Sequence, residues 1–503
     1  MDHIKHSVKK KAIIIGSGVA GLASAIRLAV QGFDVHVYER NSYAGGKLSD
    51  FEQMGYHFDA GPSLFTQPQN IEELFTLAEE PIDDYFSYKR LPVSCQYFFD
   101  NGKTLTASSE PLELAQAMQE QLDEKPENVT EYLSASERLY KNVGNVFVNH
   151  SLHKRKTFFK KEILNALVSA RPKHLFGTLH AWNKSKFTSP EAIQIFDRYA
   201  TYNGSNPYAA PGMLSLIPHL EMNEGTFYPK GGMISITNAL YQLALKKGVH
   251  FHFNQPVQRI IRDGFVATGI VANHENIFAD VIVSNADIYF TYKNLLNAET
   301  SAKKILRQER SSSALIFYWG INKIFPQLGL HNIFFSKNYQ QEFQHIFKTK
   351  TIYNDPTVYI NITSKMEEGH APAGKENWFV MVNVPTNTGQ DWATIKQQVK
   401  ENIITKLNSV LKTDIKKLIE TEAIMDPITI ESKTASFMGS LYGTSSNSKL
   451  AAFFRHPNFS KNIKGLYFVG GSVHPGGGIP LCMKSAKIMA ELVRQDSTSK
   501  THH

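Results

Sequence analysis

The hydrophobic pattern opens with a short apolar run over 11–15 that breaks at once into Gly16-Ser17-Gly18-Val19-Ala20-Gly21. Apolar residues then recur at helical spacing (Leu22, Ile26, Leu28, Ala29) as far as Gly32, and a second apolar run over 35–38 ends on Glu39. Strand, glycine turn, helix and strand in that order predict a βαβ unit. From about 66 to 224 the pattern reads as mostly helical, with breaks at Pro68, Pro81, Pro92 and Pro111. An apolar-periodic helix is expected over 234–245, and alternating stretches predict strands at 249–253, 257–261 and in a β-rich run ending Ser284-Asn285-Ala286-Asp287. Strand-like runs return at 314–319, 358–362 and 378–384, followed by a helix near 391–411. The chain closes with a strand over 465–469, a second glycine loop over 470–480 and a helix over about 481–494. Two strand–glycine-loop–helix units more than 400 residues apart imply that the chain returns at its end to the domain where it began.

The first of these units has the chemistry of a dinucleotide site. One glycine permits the tight turn, the next lets the backbone approach a pyrophosphate, and the third lets helix and strand pack closely. The helix N-terminus adds free N–H donors and partial positive charge. Glu39 stands where a carboxylate would accept hydrogen bonds from a ribose hydroxyl. The competing reading is a glycine-rich turn in an ordinary α/β domain. Further small residues, at Gly45-Gly46-Lys47 and at Gly61-Pro62-Ser63, suit a backbone lying close to a flat ligand, or are unrelated surface turns.

At 503 residues the chain is too long for a single core, so two or more domains are expected. Its two cysteines, Cys95 and Cys482, form no CxxC or metal pattern, which fits a reducing compartment. The N-terminus lacks the apolar core of a signal peptide, and no run approaches the roughly 18 apolar residues that span a bilayer. Charge is informative once located. Between 150 and 190 nine cations (Lys154, Arg155, Lys156, Lys160, Lys161, Arg171, Lys173, Lys184, Lys186) face one acid, Glu162, so this segment alone matches the chain's net +8. It also carries Phe158, Phe159, Ile163, Leu164, Leu167, Val168, Leu175, Phe176, Leu179 and Trp182. That combination predicts either an interfacial helix on anionic lipid or a solvated helix with its apolar face in the core. No nucleic-acid motif accompanies the patch, so nucleic acid is not expected as a partner.

Taken together, these residues resemble the bacterial phytoene desaturase family of FAD-dependent carotenoid desaturases, over essentially the whole chain. The N-terminal fingerprint is shared with many glutathione-reductase-like flavoproteins, amine oxidases included. The C-terminal stretch is more specific: Gly465-Leu-Tyr-Phe-Val-Gly470-Gly471-Ser-Val473-His474-Pro475-Gly476-Gly477-Gly478-Ile479, closing at Ser485, follows the family signature almost position for position. There are two departures. Lys47 stands where the family usually has Arg, which keeps the charge but loses the bidentate fork. Val473 replaces a usual Thr or Ala. The overall likeness leans toward carotenoid 3,4-desaturases acting on γ-carotene-like substrates.

The resemblance implies a mixed α/β fold. A discontinuous Rossmann-type FAD domain is expected from 1–65, 225–290 and 420–497, and a substrate domain of sheet and helices from 66–130 and 291–419. A helical, membrane-facing part is expected at 131–224. Residues expected at a noncovalently held FAD are Gly16, Ser17, Gly18, Val19, Ala20, Gly21, Glu39, Arg40, Gly45, Gly46, Lys47, Gly61, Pro62, Ser63, Gly470, Gly471, Gly478 and Ile479, with Val257 beside the adenine. A polyene bond offers no polar handle, so the cofactor must take a hydride while the protein positions substrate and excludes water. No His/Asp/Ser or metal-ligating constellation emerges. His250 and His252 read as strand residues facing one side, and His474, in the glycine loop, is the candidate proton acceptor, or merely holds that loop. Phe317, Tyr318, Trp319, Phe325, Phe334 and Phe335 either line an apolar tunnel or form plain core. An insoluble C40 substrate favours the membrane reading of 150–190, with a cytoplasmic protein peripheral on the inner face of the cell membrane and quinone or oxygen as final electron acceptor. The alternatives are a multi-step phytoene desaturase, another flavin oxidase such as an amine oxidase, and a non-catalytic prenyl-lipid-binding relative.

Overall fold

The computed structural model describes residues 9–151, 153–154, 174, 177–448 and 455–498. Its centre is a five-stranded parallel sheet in the order Leu466–Phe468, Val281–Ser284, Lys11–Ile15, Asp34–Tyr38, His250–His252. The register aligns Ile14 with Val37 on one side and Val283 on the other. The first strand is apolar and buried from Ala12 to Ile15 because both of its faces are covered. Ala12 and Ile14 pack among the helices Val19–Val30, Ile234–Lys246 and Ile479–Thr498. Ile13 and Ile15 pack toward an antiparallel layer, Val257–Asp263, Val266–Ala272 and Glu275–Phe278. The last strand of the chain therefore pairs with Val281–Ser284, which on its other side pairs with the first strand, Lys11–Ile15.

The second sheet has seven strands in the order Ile419–Met425, Ser313–Ile321, Glu376–Val384, Val358–Asn361, His331–Phe334, Val93–Phe98, Thr104–Ser108. Alternation divides its residues between two environments. Leu315, Phe317, Trp319, Trp378, Val380 and Val382 pack with Ile403 and Leu407 of the helix Trp392–Leu411. Ile316, Tyr318, Phe379 and Met381 point the other way, into a cavity. Phe325 and Phe334 belong to the helix-side core and Phe335 to a third cluster, so of the six aromatics considered for a tunnel only Tyr318 reaches the cavity wall.

The stretch 66–224 begins with the helix Gln69–Leu77 but is not helical over 88–108. Strands Tyr88–Arg90, Val93–Phe98 and Thr104–Ser108 lie there. Val93–Phe98 buries residues on both faces, which erases the period-two signal, and Pro92 precedes a strand. Pro111 starts a helix rather than breaking one, occupying N1 of Pro111–Leu122, as do Pro126 and Pro190 in their helices. Ser189 and Thr178 cap the helices that follow them by accepting from the amides of Ala192 and Ala181. Among the described residues no helix is long and apolar enough to cross a membrane.

Candidate functional site

A cavity of about 1610 Å³ runs from the carboxyl ends of the parallel strands to the inner face of the seven-stranded sheet. Ligands of open parallel sheets sit at those strand ends. The volume exceeds the roughly 300–1,000 Å³ typical of a site for one small molecule, which leaves room for two ligands in line.

At the sheet end, Gly16 adopts φ +94°, and a Cβ on Gly21 would lie 2.1 Å from the Gly16 carbonyl oxygen, so strand and helix touch through their backbones. Glu39 is fixed by its neighbours: Oε2 accepts from Ser17 N at 2.8 Å and Ser17 Oγ at 2.9 Å, and Oε1 from Asn41 N at 2.9 Å. A carboxylate has about four acceptor positions, so capacity remains for a hydroxyl from the cavity that Glu39 lines. Tyr38, Tyr241, Phe253 and Val257 surround the space beyond it, and Arg40 is tied by Nη2 to the Ser432 carbonyl at 2.5 Å.

Three more loops close over the first. Gly45 N donates to Ser17 O at 2.9 Å, and a Cβ on Gly46 would come within 3.4 Å of Gly18 Cα. A Cβ on Gly61 would lie only 1.8 Å from Lys47 O, so the 61–63 loop rests on the 45–47 loop. Gly470, Gly471, Gly478 and Ile479 bring the N-terminus of the last helix to the same space. Lys47 Nζ donates to Leu441 O at 2.8 Å, and burial lowers its pKa while Asp287 acts in the opposite direction. It thus holds a backbone carbonyl with one donor and keeps two for the cavity.

Most of the residues expected at the cofactor line this one space: Gly16, Gly18, Val19, Ala20, Glu39, Arg40, Gly45, Gly46, Lys47, Gly61, Pro62, Ser63, Val257, Gly470, Gly471, Gly478 and Ile479. Ser17 and Gly21 stand behind the wall, one orienting Glu39 and the other packing on Gly16. His474 does not reach the cavity. It is fully buried, its Nε2 donates to His150 O at 2.9 Å, and Phe147 packs edge-on at 5.0 Å. Burial pushes its imidazole down to about 3. Its geometry is that of a residue tying the glycine loop to 147–150, and the expectation of a proton acceptor there is corrected accordingly. His36, His250 and His252 stack on one side of the sheet edge, and none of them lines the cavity.

Sequence reasoning passed over Asn285. With its amide oriented to satisfy both neighbours, Oδ1 accepts from Gly18 N at 3.2 Å and Gly21 N at 3.3 Å, capping the first helix from the adjacent strand. Its place at the end of a parallel strand beside the glycine turn was the available signal. Also missed was a polar patch at the far end of the cavity. Arg198 Nη2 donates to Glu221 at 2.9 Å and to Tyr97 Oη at 2.8 Å, and its guanidinium lies over the rings of Tyr97, Tyr199 and Tyr202. Tyr202 Oη also donates to Glu221. Ile316, Ile333, Tyr339, Phe379 and Met381 make up the apolar wall around this patch.

Within the cationic segment, 152, 155–173 and 175–176 lie outside the described residues. Of its described members, Leu179 and Trp182 are buried in a core cluster and Lys186 lies over the Trp182 ring at 5.0 Å. Lys154 lies 3.7 Å from Asp496.

Residues 19–494 match the family described as flavin containing amine oxidoreductase. The chain is 49% identical to a 1-hydroxycarotenoid 3,4-desaturase of Flavobacterium sp. (strain P99-3), over 96% of this chain and 99% of that one. It is 32% identical to a 4,4'-diaponeurosporene oxygenase of Staphylococcus aureus (strain MSSA476), over 96% and 98%. Among solved structures, an oxidoreductase from Methanosarcina mazei superposes with a TM-score of 0.63 at 17% identity, covering 96% of this chain and 100% of that one. Cyclohexylamine oxidase from Brevibacterium oxydans gives 0.62 at 16%, covering 97% and 100%. The chain belongs to the flavin containing amine oxidoreductase family. It is an FAD-dependent oxidoreductase, and its glycine cradle, in which a Cβ on Gly18, Gly21, Gly45 or Gly61 would come within 3.0 Å of a neighbouring atom, fits that cofactor.

Proposed function

We propose that the protein is a carotenoid 3,4-desaturase, which removes two hydrogens from adjacent carbons near the end of a long polyene. The observation that carries this reading is the 49% identity to a carotenoid 3,4-desaturase along nearly the full length of both chains. The elongated cavity, with the apolar wall of Ile316, Ile333, Phe379 and Met381 at the inner face of the seven-stranded sheet, supports it. FAD, when bound, supplies the acceptor for a hydride, with its electron pair, from one carbon. The neighbouring carbon gives up a proton, so that the two C–H bonds are exchanged for one C=C bond. Gly16–Gly21, Glu39 and Asn285 hold the cofactor's dinucleotide part at the strand ends. The sheet face of Ile316, Tyr318, Phe379 and Met381 lays the polyene flat and keeps water from the reacting carbons. Quinone or oxygen then reoxidises the enzyme. The test is expression in cells accumulating defined acyclic and monocyclic carotenoids, followed by pigment chromatography. The expected product is two hydrogens lighter and absorbs at longer wavelength. Unchanged pigment in cells holding flavin-loaded protein would refute the reading.

The substrate is insoluble in water, so the protein is proposed to take it from the inner face of the cell membrane through the basic segment 150–190. Juxtamembrane cations contribute on the order of 1 kcal/mol each on anionic bilayers, less at high salt. Reversing Arg155, Lys156, Lys160 and Lys161 to Glu, with Lys154 left beside Asp496, is expected to weaken sedimentation with anionic liposomes by roughly 100-fold or more. Flavin content should stay normal. Sedimentation equal to the parent's would remove the segment as the dock.

A further inference from the structure

Away from the cavity, the edge of the parallel sheet gathers side chains that the oxidation does not use. His250–His252 is the edge strand, and its register against Asp34–Tyr38 sets His36 opposite His250 and Tyr38 opposite His252. Side chains two apart on a strand share a face, so Asp34, His36, His250 and His252 stand together on one face of two neighbouring strands. Asp34 Oδ2 lies 3.2 Å from His36 Nε2, and Asp34 Oδ1 lies 3.7 Å from His250 Nε2. One ligating atom from each of these three residues falls within 4.8 Å of the other two. Ligands roughly 2.0–2.1 Å from a tetrahedral ion stand about 3.3 Å apart. The carboxylate is thus already at that spacing from both imidazoles, and the two rings, 28° apart in plane, have only to tilt together. His250 is free to make that move, its side chain being 60% exposed, whereas His36 is 16% exposed and held. Its holder is His252, whose Nε2 lies 3.0 Å from His36 Nδ1 and whose ring stacks on Tyr38 at 4.4 Å. When His36 offers its Nε2 lone pair to an ion, its Nδ1–H points at His252, the outer contact that orients a metal-bound imidazole. A plain His36–Asp34 ion pair is the competing reading. Burial and the nearby charge of Lys11 lower the pKa of His36, which works against that pair and keeps the ring neutral.

We propose that Asp34, His36 and His250 bind a divalent ion of the zinc class, with His252 orienting His36 and water completing the coordination. Two imidazoles, one carboxylate and an open position suit Zn²⁺ and its borderline neighbours. Ca²⁺ and Mg²⁺, which take oxygen ligands, are not expected there. None of the four side chains lines the cavity, so the ion has no part in hydride transfer and the inference is independent of the substrate. Its consequence is mechanical. An ion shared by the two strands ties the edge of the sheet to the strand that runs into Tyr38 and Glu39, both on the cofactor wall.

The test uses the flavin-loaded protein without an added histidine tag, stripped of metal by dialysis against EDTA and titrated with zinc chloride in a calorimeter. The parent is expected to bind one ion per chain and, by mass action, to melt at a higher temperature with zinc than without. His250→Ala and Asp34→Asn should each weaken that binding more than tenfold. His252→Phe, which removes only the outer partner, should weaken it about tenfold. Flavin content should stay at the parent's level in all three variants. Cobalt(II) chloride in place of zinc should give the strong visible bands of a four-coordinate site in the parent and lose them in His250→Ala. A parent that takes up no zinc overturns the inference. Zinc affinity and cobalt spectrum unchanged in His250→Ala and Asp34→Asn also overturn it, because the ion would then be held by other histidines. So does displacement of the zinc by an equal concentration of magnesium chloride.

Discussion

Gly18→Val is expected to give a folded protein that carries less than about a tenth of the parent's FAD per chain. Gly18 has φ −62° and ψ 169°, ordinary extended backbone that valine also adopts, so the substitution strains nothing by itself. Its effect is spatial. A Cβ there would lie 2.9 Å from the side-chain amide of Asn285, and the two methyl groups beyond it would enter the space in front of the helix N-terminus where a pyrophosphate binds. Gly21→Ala makes the useful contrast. Its Cβ would meet the Gly16 carbonyl at 2.1 Å, so that variant should lose stability before it loses cofactor selectively. Flavin absorbance per chain, read beside far-ultraviolet circular dichroism, separates the two cases. Full flavin occupancy in Gly18→Val would show that the pyrophosphate lies elsewhere.

The second large effect is expected at the far end of the cavity. The side chains of Arg198 and Glu221 are 11% and 3% exposed, and Arg198→Leu leaves the carboxylate buried without its cation. Removing one partner of a buried ion pair costs on the order of 3–5 kcal/mol. Adding Glu221→Gln to that background removes the stranded charge and should restore much of the loss, because contacting residues are not additive. Urea unfolding followed by intrinsic fluorescence measures both variants. A double variant no more stable than Arg198→Leu alone would mean that the arginine acts through its stacking on Tyr97, Tyr199 and Tyr202 rather than through its charge.

The cofactor end was the legible part of the sequence because its determinants are local. Gly16–Gly21, Glu39 and the closing glycine loop each carry their function within a few residues, and the parallel strands beside them show as plain apolar runs. Helices were also legible: those expected near 391–411 and 234–245 are found at Trp392–Leu411 and Ile234–Lys246. The substrate end was not legible, for two physical reasons. Strands buried on both faces, such as Val93–Phe98, lose the alternation that identifies a strand. The partners there are distant in the chain: Ser63 meets Tyr359 across 296 positions and Arg198 meets Tyr97 across 101, and no local pattern marks such pairs. His474 shows the converse. Its place in a characteristic loop pointed to the cavity, but the backbone turns its ring away, toward 147–150.

The strand Ser313–Ile321 serves two masters along one backbone, since Leu315, Phe317 and Trp319 face a helix while Ile316 and Tyr318 face the ligand space. Selection can therefore act on the two sets separately. Neighbouring codons carry unrelated burdens, and a lineage could remodel which polyene it accepts by changing alternate residues of this strand while the interleaved ones keep the domain folded. Directed evolution for new pigments would do well to randomise 316, 318, 379 and 381 together and hold 315, 317, 319, 378, 380 and 382 fixed.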